Sequence, residues 1–472
     1  MGSTVFERQP APESVITHSL QPSILKPFWI DDAKRSDAQP AFSGNAFTDL
    51  AIVGGGYTGL WTALLAKERD PDRRVVLLEA KSCGWAASGR NGGFIEATLT
   101  HGESNGRTRY PNEYDELDRL GLENLDEIEQ TVAKRKWNVD FERSGALTVA
   151  TEQYQVDDLR EAAHGDREVF LDEAEIRARV NSPTYLAALF APRDNAIAHP
   201  SKLGNALMDA ALNAGVEIFE NSPVTSVTDL GAEIELATKS GKVTAKRVAL
   251  ATNAFPSLLK RYRLHTVPVY DYVLMSEPLS SEQLASIGWS GREGIADSAN
   301  QFHYYRLSKD NRILFGGYDA VYHFGGKIRS RYNDRTESYR LLASHFFTTF
   351  PQLEGLQFTH RWAGVIDTCS RFSAFFAQAY GGKVSYTAGF TGLGVAATRF
   401  AANVMLDRLE GLTTQRTELE MVKSMPLPFP PEPLTFPAVQ AVRFELDRAD
   451  HNAGKRSMFL RTLDAVGLGF DS

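Results

Sequence analysis

The chain has 472 residues, 43% of them apolar and 23% charged, which is the make-up of a folded enzyme of about two domains and excludes a disordered chain. Lys plus Arg number 51 against 59 Asp plus Glu, a net charge of −8 without a basic block, which excludes an electrostatic nucleic-acid binder. Two cysteines, Cys83 and Cys369, exclude a disulfide framework and a four-thiolate metal site.

Residues 1–44 are polar and proline-bearing, with an apolar knot at 24–30 (ILKPFWI), and read as a late-docking arm without chemistry. The first residues lack a basic end followed by an apolar run, so no secretory signal is expected and the default location is cytoplasmic. No stretch reaches ~18 apolar residues, so no membrane-spanning helix is expected. Asp49-Leu50-Ala51-Ile52-Val53 reads as a strand buried on both faces, 57–67 as a helix, and Val75-Val76-Leu77-Leu78-Glu79 as a second buried strand, together a β-α-β unit. Residues 113–136 predict a helix with Leu117, Leu120, Leu125, Ile128 and Val132 on one stripe. A strand at 146–150, a helix opened by His199-Pro200-Ser201 and ended at Gly215, and strands at 216–219 and 243–251 follow. From 261 to 318 alternating strands predict a largely antiparallel sheet. Val267, Val269, Val273 and Met275 share one face, and Tyr270, Tyr272 and Leu274 the other. Segments 302–307 and 312–316 predict a hairpin turning at Lys309-Asp310-Asn311. A strand–turn–helix at 386–409 precedes an extended strap with six prolines in 426–437.

Gly54-Gly55-Gly56-Tyr57-Thr58-Gly59 fits G-x-G-x-x-G between a buried strand and a helix, with an acid at Glu79, 20 residues past the last glycine. Gly54 permits the turn, Gly56 lets a pyrophosphate approach the helix N-terminus, Gly59 lets helix and strand pack, and Glu79 is positioned for a ribose diol. This pattern suits NAD as well as FAD. The segment 84–93 (GWAASGRNGG) favours FAD, because so dense a run of Gly with Ser, Arg and Asn suits a backbone lying flat against a planar ligand. An NAD-dependent dehydrogenase leaves that segment without a purpose.

The combination of GGGYTG at 54–59, LLEA at 77–80, ASGRNGG at 87–93, ALATNAF at 249–255, HRWAG at 360–364 and GFTGLGVA at 389–396 resembles the D-amino-acid-oxidase-like superfamily of FAD-dependent oxidoreductases. Within it the chain is similar to the gamma-glutamylputrescine-oxidase-like branch. The resemblance implies an α/β fold (mixed α+β): a Rossmann-type FAD-binding domain from 45–100, 195–260 and 360–410, and a substrate domain on a mixed, largely antiparallel sheet from 101–194 and 261–359. A strap and tail occupy 411–472. It implies that Ala80, Lys81, Ser88, Gly89, Arg90, Asn91 and Gly92 join the cofactor site, with Val224 at the adenine, Thr252 and Asn253 closing over it, and Thr391, Gly392, Leu393 and Gly394 at the flavin. A helix N-terminus there stabilises negative charge on a reduced flavin.

Relatives clamp a substrate carboxylate with an arginine where this chain has Ile366, which argues against a free α-amino acid, although Arg306 and Arg371 are nearby in sequence. The position that carries a flavin-linked cysteine in sarcosine oxidases aligns with Gly364, so FAD is expected to be non-covalent and Cys369 a small buried hydrophobe. The strand 313–317 lacks the lysine that assists oxygen in relatives, and Leu393 stands where the branch commonly has His. The expected reaction is amine oxidation by FAD, with hydride transfer from the α-carbon, imine hydrolysis, and O2 giving H2O2. The substrate class is an N-substituted or gamma-glutamylated small-molecule amine. A dehydrogenase with another acceptor and a flavin redox sensor are the alternatives. His303, Tyr305 and Trp362 are the candidate catalytic residues, and Tyr270, Tyr272, Tyr304 and Phe390 the candidate substrate contacts. His199 and His360 read as structural, and no histidine spacing suggests a metal site.

Overall fold

The computed structural model describes residues 2–35, 37–165 and 167–465. Its first large sheet has eight strands. Gly44–Val53, Val75–Leu78, Glu217–Phe219 and Gly241–Leu250 are its parallel core, with Val384–Ala388 added in parallel beside Gly241–Leu250. Parallel strands covered on both faces read as unbroken apolar runs, and Leu50 to Val53 and Val75 to Leu78 are all buried. The crossover helix Tyr57–Arg69 packs against Gly394–Leu409 on one face. Gly59 lets the start of the crossover helix lie against the strand and turn before it: a Cβ there would lie 1.9 Å from the Gly54 carbonyl oxygen.

The second sheet has ten strands and is mostly antiparallel. Its centre is Val267–Ser276 paired with Phe358–Thr368 on one side and Ile313–Gly317 on the other, with His303–Leu307 next outward. The two predicted faces of Val267–Ser276 are real. Tyr270, Tyr272 and Leu274 enter a core under the helix Thr336–Thr349, and Val273 and Met275 enter a separate one with Phe28, Trp29 and Trp362. HRWAG lies on Phe358–Thr368, hence in this sheet, although the sequence grouped 360–410 with the dinucleotide half; the chain crosses over only after Thr368.

The helix Tyr114–Arg135 appears as expected, with all five stripe residues buried. The N-terminal arm is less detached than its composition suggests. Ile24–Leu25 adds a parallel strand beside His360 and Arg361, and the short helix Phe28–Asp32 inserts Phe28 and Trp29 into the interior. Beyond the proline strap the chain forms the helices Thr435–Asp450 and Met458–Ala465, so the tail is helical rather than extended throughout. Among the described residues no helix is long and apolar enough to cross a membrane.

Candidate active site

A cavity of about 1610 Å³ is walled by both large sheets. It exceeds the roughly 300–1,000 Å³ of an ordinary small-molecule site, leaving room for a dinucleotide and a second ligand. Gly54, Gly56, Tyr57 and Thr58 line one end, with Glu79, Ala80, Val224, Thr252 and Asn253. Ser88, Arg90, Asn91, Gly92, Thr391, Gly392, Leu393 and Gly394 line the middle. Gly59, Lys81 and Gly89 lie behind this wall. Lys81 places its ammonium 3.9 Å over the Trp85 ring, and Gly89 fits against Gly84 and Ile30.

The cradle is held from beneath. Ser88 Oγ accepts from the Tyr57 amide at 2.9 Å, tying the loop to the first turn of the crossover helix. Glu79 accepts from the amides of Gly55 (2.7 Å) and Lys81 (2.8 Å) and from Trp85 Nε1 (2.9 Å). Arg90 donates to the carbonyls of Trp85 and Ala363, each at 3.0 Å, and the Asn91 side chain caps its own loop through Ala87 and Ser88. Trp29 Nε1 donates to the Asn91 carbonyl and Trp362 Nε1 to that of Arg90, each at 2.9 Å. A glycine-lined trough, helix amides at one end and a loop braced flat against it fit an FAD: the crossover-helix end suits the pyrophosphate and 84–93 suits the flavin ring.

The chamber beside 84–93 is built from Phe94, Tyr304, Phe390, Val267, Val269, Ile366 and the carboxyls Glu96, Asp271 and Asp367. Of the predicted substrate contacts, Tyr304 and Phe390 line it. Tyr270 and Tyr272 do not. They occupy the opposite face of their strand and donate to the carbonyls of Arg329 (3.3 Å) and Tyr332 (2.9 Å). The predicted catalytic residues are also placed away from it. His303 and Tyr305 alternate with Tyr304, so they point into the core: His303 sits between Asp297 (2.6 Å) and His345 (2.8 Å), and Tyr305 meets Tyr185 at 2.7 Å. Trp362 is a buried brace for the loop.

The substitute arginines are spent elsewhere. Arg306 donates to the carbonyls of Ala198 (2.8 Å) and Gly93 (3.2 Å), and Arg371 to carbonyls including Met421 (2.9 Å) and Ser373 (3.1 Å). Neither lines the cavity. Cys369 does line it, but its thiol donates to the carbonyls of Ser373 (3.2 Å) and Gly389 (3.3 Å), and burial pushes its pKa up. His199 caps its helix and His360 meets Asp31, as structural histidines do. Glu103, His164 and Glu168 at the cavity rim bring ligand atoms within 4.8 Å of one another, a grouping that the histidine spacing did not suggest.

Sequence reasoning missed the carboxyls. Burial raises Glu96 to about 7 and Asp271 and Asp367 to about 6. Asp367 accepts from the Gly389 amide at 2.6 Å and so fixes the loop that enters the helix Gly394–Leu409. The available signal was a single acid in each of three strands: at the end of Phe94–Glu96 and within Val267–Ser276 and Phe358–Thr368.

Fold and cavity together define a two-sheet oxidoreductase that holds a dinucleotide cofactor against a substrate chamber. The family profile described as DAO, FAD dependent oxidoreductase, matches residues 49–408, and the chain belongs to that family. It is 32% identical over 377 residues to the gamma-glutamylputrescine oxidoreductase of Escherichia coli K12, covering 77% of this chain and 84% of that one. It is 27% identical over 398 residues to a probable oxidoreductase OrdL of Haemophilus influenzae, covering 80% and 87%. A glycine oxidase structure from Geobacillus kaustophilus shares the fold, with a TM-score of 0.66 at 18% identity over 80% of this chain and all of that one.

Proposed function

We propose that the chain oxidises the C–N bond of a small primary or secondary amine, with an N-substituted or gamma-glutamylated amine as substrate class and O2 as final acceptor, yielding a carbonyl product and H2O2. The observation that carries this reading is the chamber itself: aromatic and aliphatic walls beside the 84–93 loop, with Arg306 and Arg371 both committed to backbone carbonyls. A bidentate clamp for an α-carboxylate has no candidate at 366, which is Ile. FAD supplies a hydride acceptor for the carbon that bears the amine.

The residues around it act by position. Phe94, Tyr304 and Phe390 exclude water and disfavour the ammonium form by desolvation. The loop 391–394 aims a helix N-terminus toward developing negative charge. Gly364, at the position of a flavin-linked cysteine, supports a non-covalent cofactor, and a Cβ added there would lie 3.9 Å from the Arg90 Cβ. An electron acceptor other than O2 is the second reading, supported by Leu393 and by the lysine-free strand Ile313–Gly317.

The test is anaerobic mixing of the yellow holoenzyme with mono-, di- and gamma-glutamyl-amines, followed by air. Bleaching by one amine class and peroxide on reoxidation are expected, as is release of the flavin on denaturation. Bleaching by free α-amino acids alone overturns the substrate reading, and air-stable bleached enzyme selects the dehydrogenase.

A further inference from the structure

Strand Val267–Ser276 turns Val267, Val269 and Asp271 toward the chamber, and Asp271 is the one charged residue in that strand. Its carboxylate accepts a hydrogen bond from the hydroxyl of Tyr304, which stands two strands away on His303–Leu307. The phenol spans the strand between by lying across Gly316. The same ring abuts Gly92 of the 84–93 loop, where an added Cβ would come within 2.8 Å of Tyr304 Cε2, and meets Phe94 edge-on at 5.8 Å. A carboxylate, a phenol and the flavin-loop backbone are thus packed into one apolar corner.

The neighbours of Asp271 are mixed. The amides of Tyr272 and Gly317 and the Tyr304 hydroxyl favour its ionised form; burial and the Asp319 carboxylate oppose it. Asp319 is itself held by Arg335 and Arg443. Across the sheet its register partner is Gly364, which brings no charge, and Arg90 behind Gly364 is engaged with carbonyls. Burial wins, and the group titrates at about 6.

We propose that Asp271, oriented by Tyr304, is the catalytic base that takes the proton from the substrate's ammonium group. The proposal rests on the amine reading above. One N–H bond of R–NH3+ breaks, its electron pair stays on nitrogen, and the proton joins the carboxylate, leaving a neutral amine and a neutral acid with no change of oxidation state. An alkylammonium holds its proton to about pH 10 in water. In this chamber the transfer removes two opposite desolvated charges at once, which offsets that mismatch. The neutral amine then has the lone pair that assists loss of hydride from the adjacent carbon.

The test compares wild-type, Asp271→Asn and Tyr304→Phe holoenzymes, each mixed anaerobically across pH with the amine that bleaches the wild-type flavin fastest. Asp271→Asn is expected to lose roughly 10²-fold in limiting bleaching rate near neutrality and to recover toward about pH 10, where the amine deprotonates unaided. Tyr304→Phe is expected to move the acidic limb of its profile upward, because the lost hydrogen bond favoured the ionised acid. A titration of the bound flavin's visible spectrum, without substrate, is expected to show a step near pH 6 in wild type that is reduced in Asp271→Asn, Asp367 accounting for the remainder. A wild-type pH–rate profile in Asp271→Asn overturns the proposal. If that variant does not retain flavin, an unshifted profile in Tyr304→Phe overturns it instead. Failure of every amine to bleach wild-type enzyme defeats the amine reading, and the proposal with it, and is distinguished because it needs no variant.

Discussion

Tyr304 reaches Asp271 only because residue 316 has no side chain. A Cβ there would stand 2.7 Å from the Tyr304 Cζ and 2.8 Å from its hydroxyl oxygen. Gly316→Ala is therefore expected to displace the phenol and cost about 1–3 kcal/mol by overpacking. Thermal melts in a double-mutant cycle check this: in a Tyr304→Ala background most of the cost disappears, and an equal cost in both backgrounds denies the contact. At this scale the sequence was legible where chemistry forces a residue type. The glycines at 54–59 and the loop 84–93 fall on the cavity wall because a backbone close to a large flat ligand tolerates little else. Asp271 was illegible. Period-two alternation separates Asp271 from Tyr270 and Tyr272, but the face that meets the cavity is decided by the helix Thr336–Thr349, which arrives 60 residues later and covers the tyrosines. The same ambiguity left His303, Tyr305 and Tyr304 all as candidates, although only the Tyr304 face of their strand meets the cavity.

Among the elements, the buried strands and the helix Tyr114–Arg135 were readable because their periodicity alone specifies them. The N-terminal arm was not, since what places it is tertiary: a strand pairing beside His360 and Arg361 and the burial of Phe28 and Trp29. Trp29 packs on Val273, Met275, Leu314 and Trp362 and donates to the Asn91 carbonyl at the centre of the flavin loop. Trp29→Ala is expected to cost about 3–5 kcal/mol and to weaken flavin retention as well. Melts and the fluorescence of released flavin measure the two effects. Phe346→Leu, in the core beneath the second sheet, serves as the control, lowering stability with flavin affinity kept. Equal flavin loss in both variants marks the arm as general ballast.

For the whole molecule, the three cavity carboxyls set a pH dependence. Glu96, Asp271 and Asp367 hold their protons in the fold to about 7, 6 and 6, whereas the unfolded chain releases them near ~4. Between those limits the folded state binds more protons, so their contribution to stability is complete below ~4 and is lost as pH rises to about 7. Glu96→Gln removes one of the three. It is expected to stabilise the protein by about 1–2 kcal/mol near pH 8 and to be neutral near pH 4, less than full burial implies because the side chain is partly exposed. Denaturant melts at both pH values decide it; a pH-independent difference would exclude the titration as cause. One further consequence follows from the C-terminal segment. Pro428, Phe429, Pro430, Val439, Val442 and Leu446 form part of the cavity wall, yet they lie outside the 49–408 span that matches the family profile. Part of the wall is therefore supplied from beyond the family match, so exchanges in this segment can alter what the cavity admits while the glycine cradle stays intact.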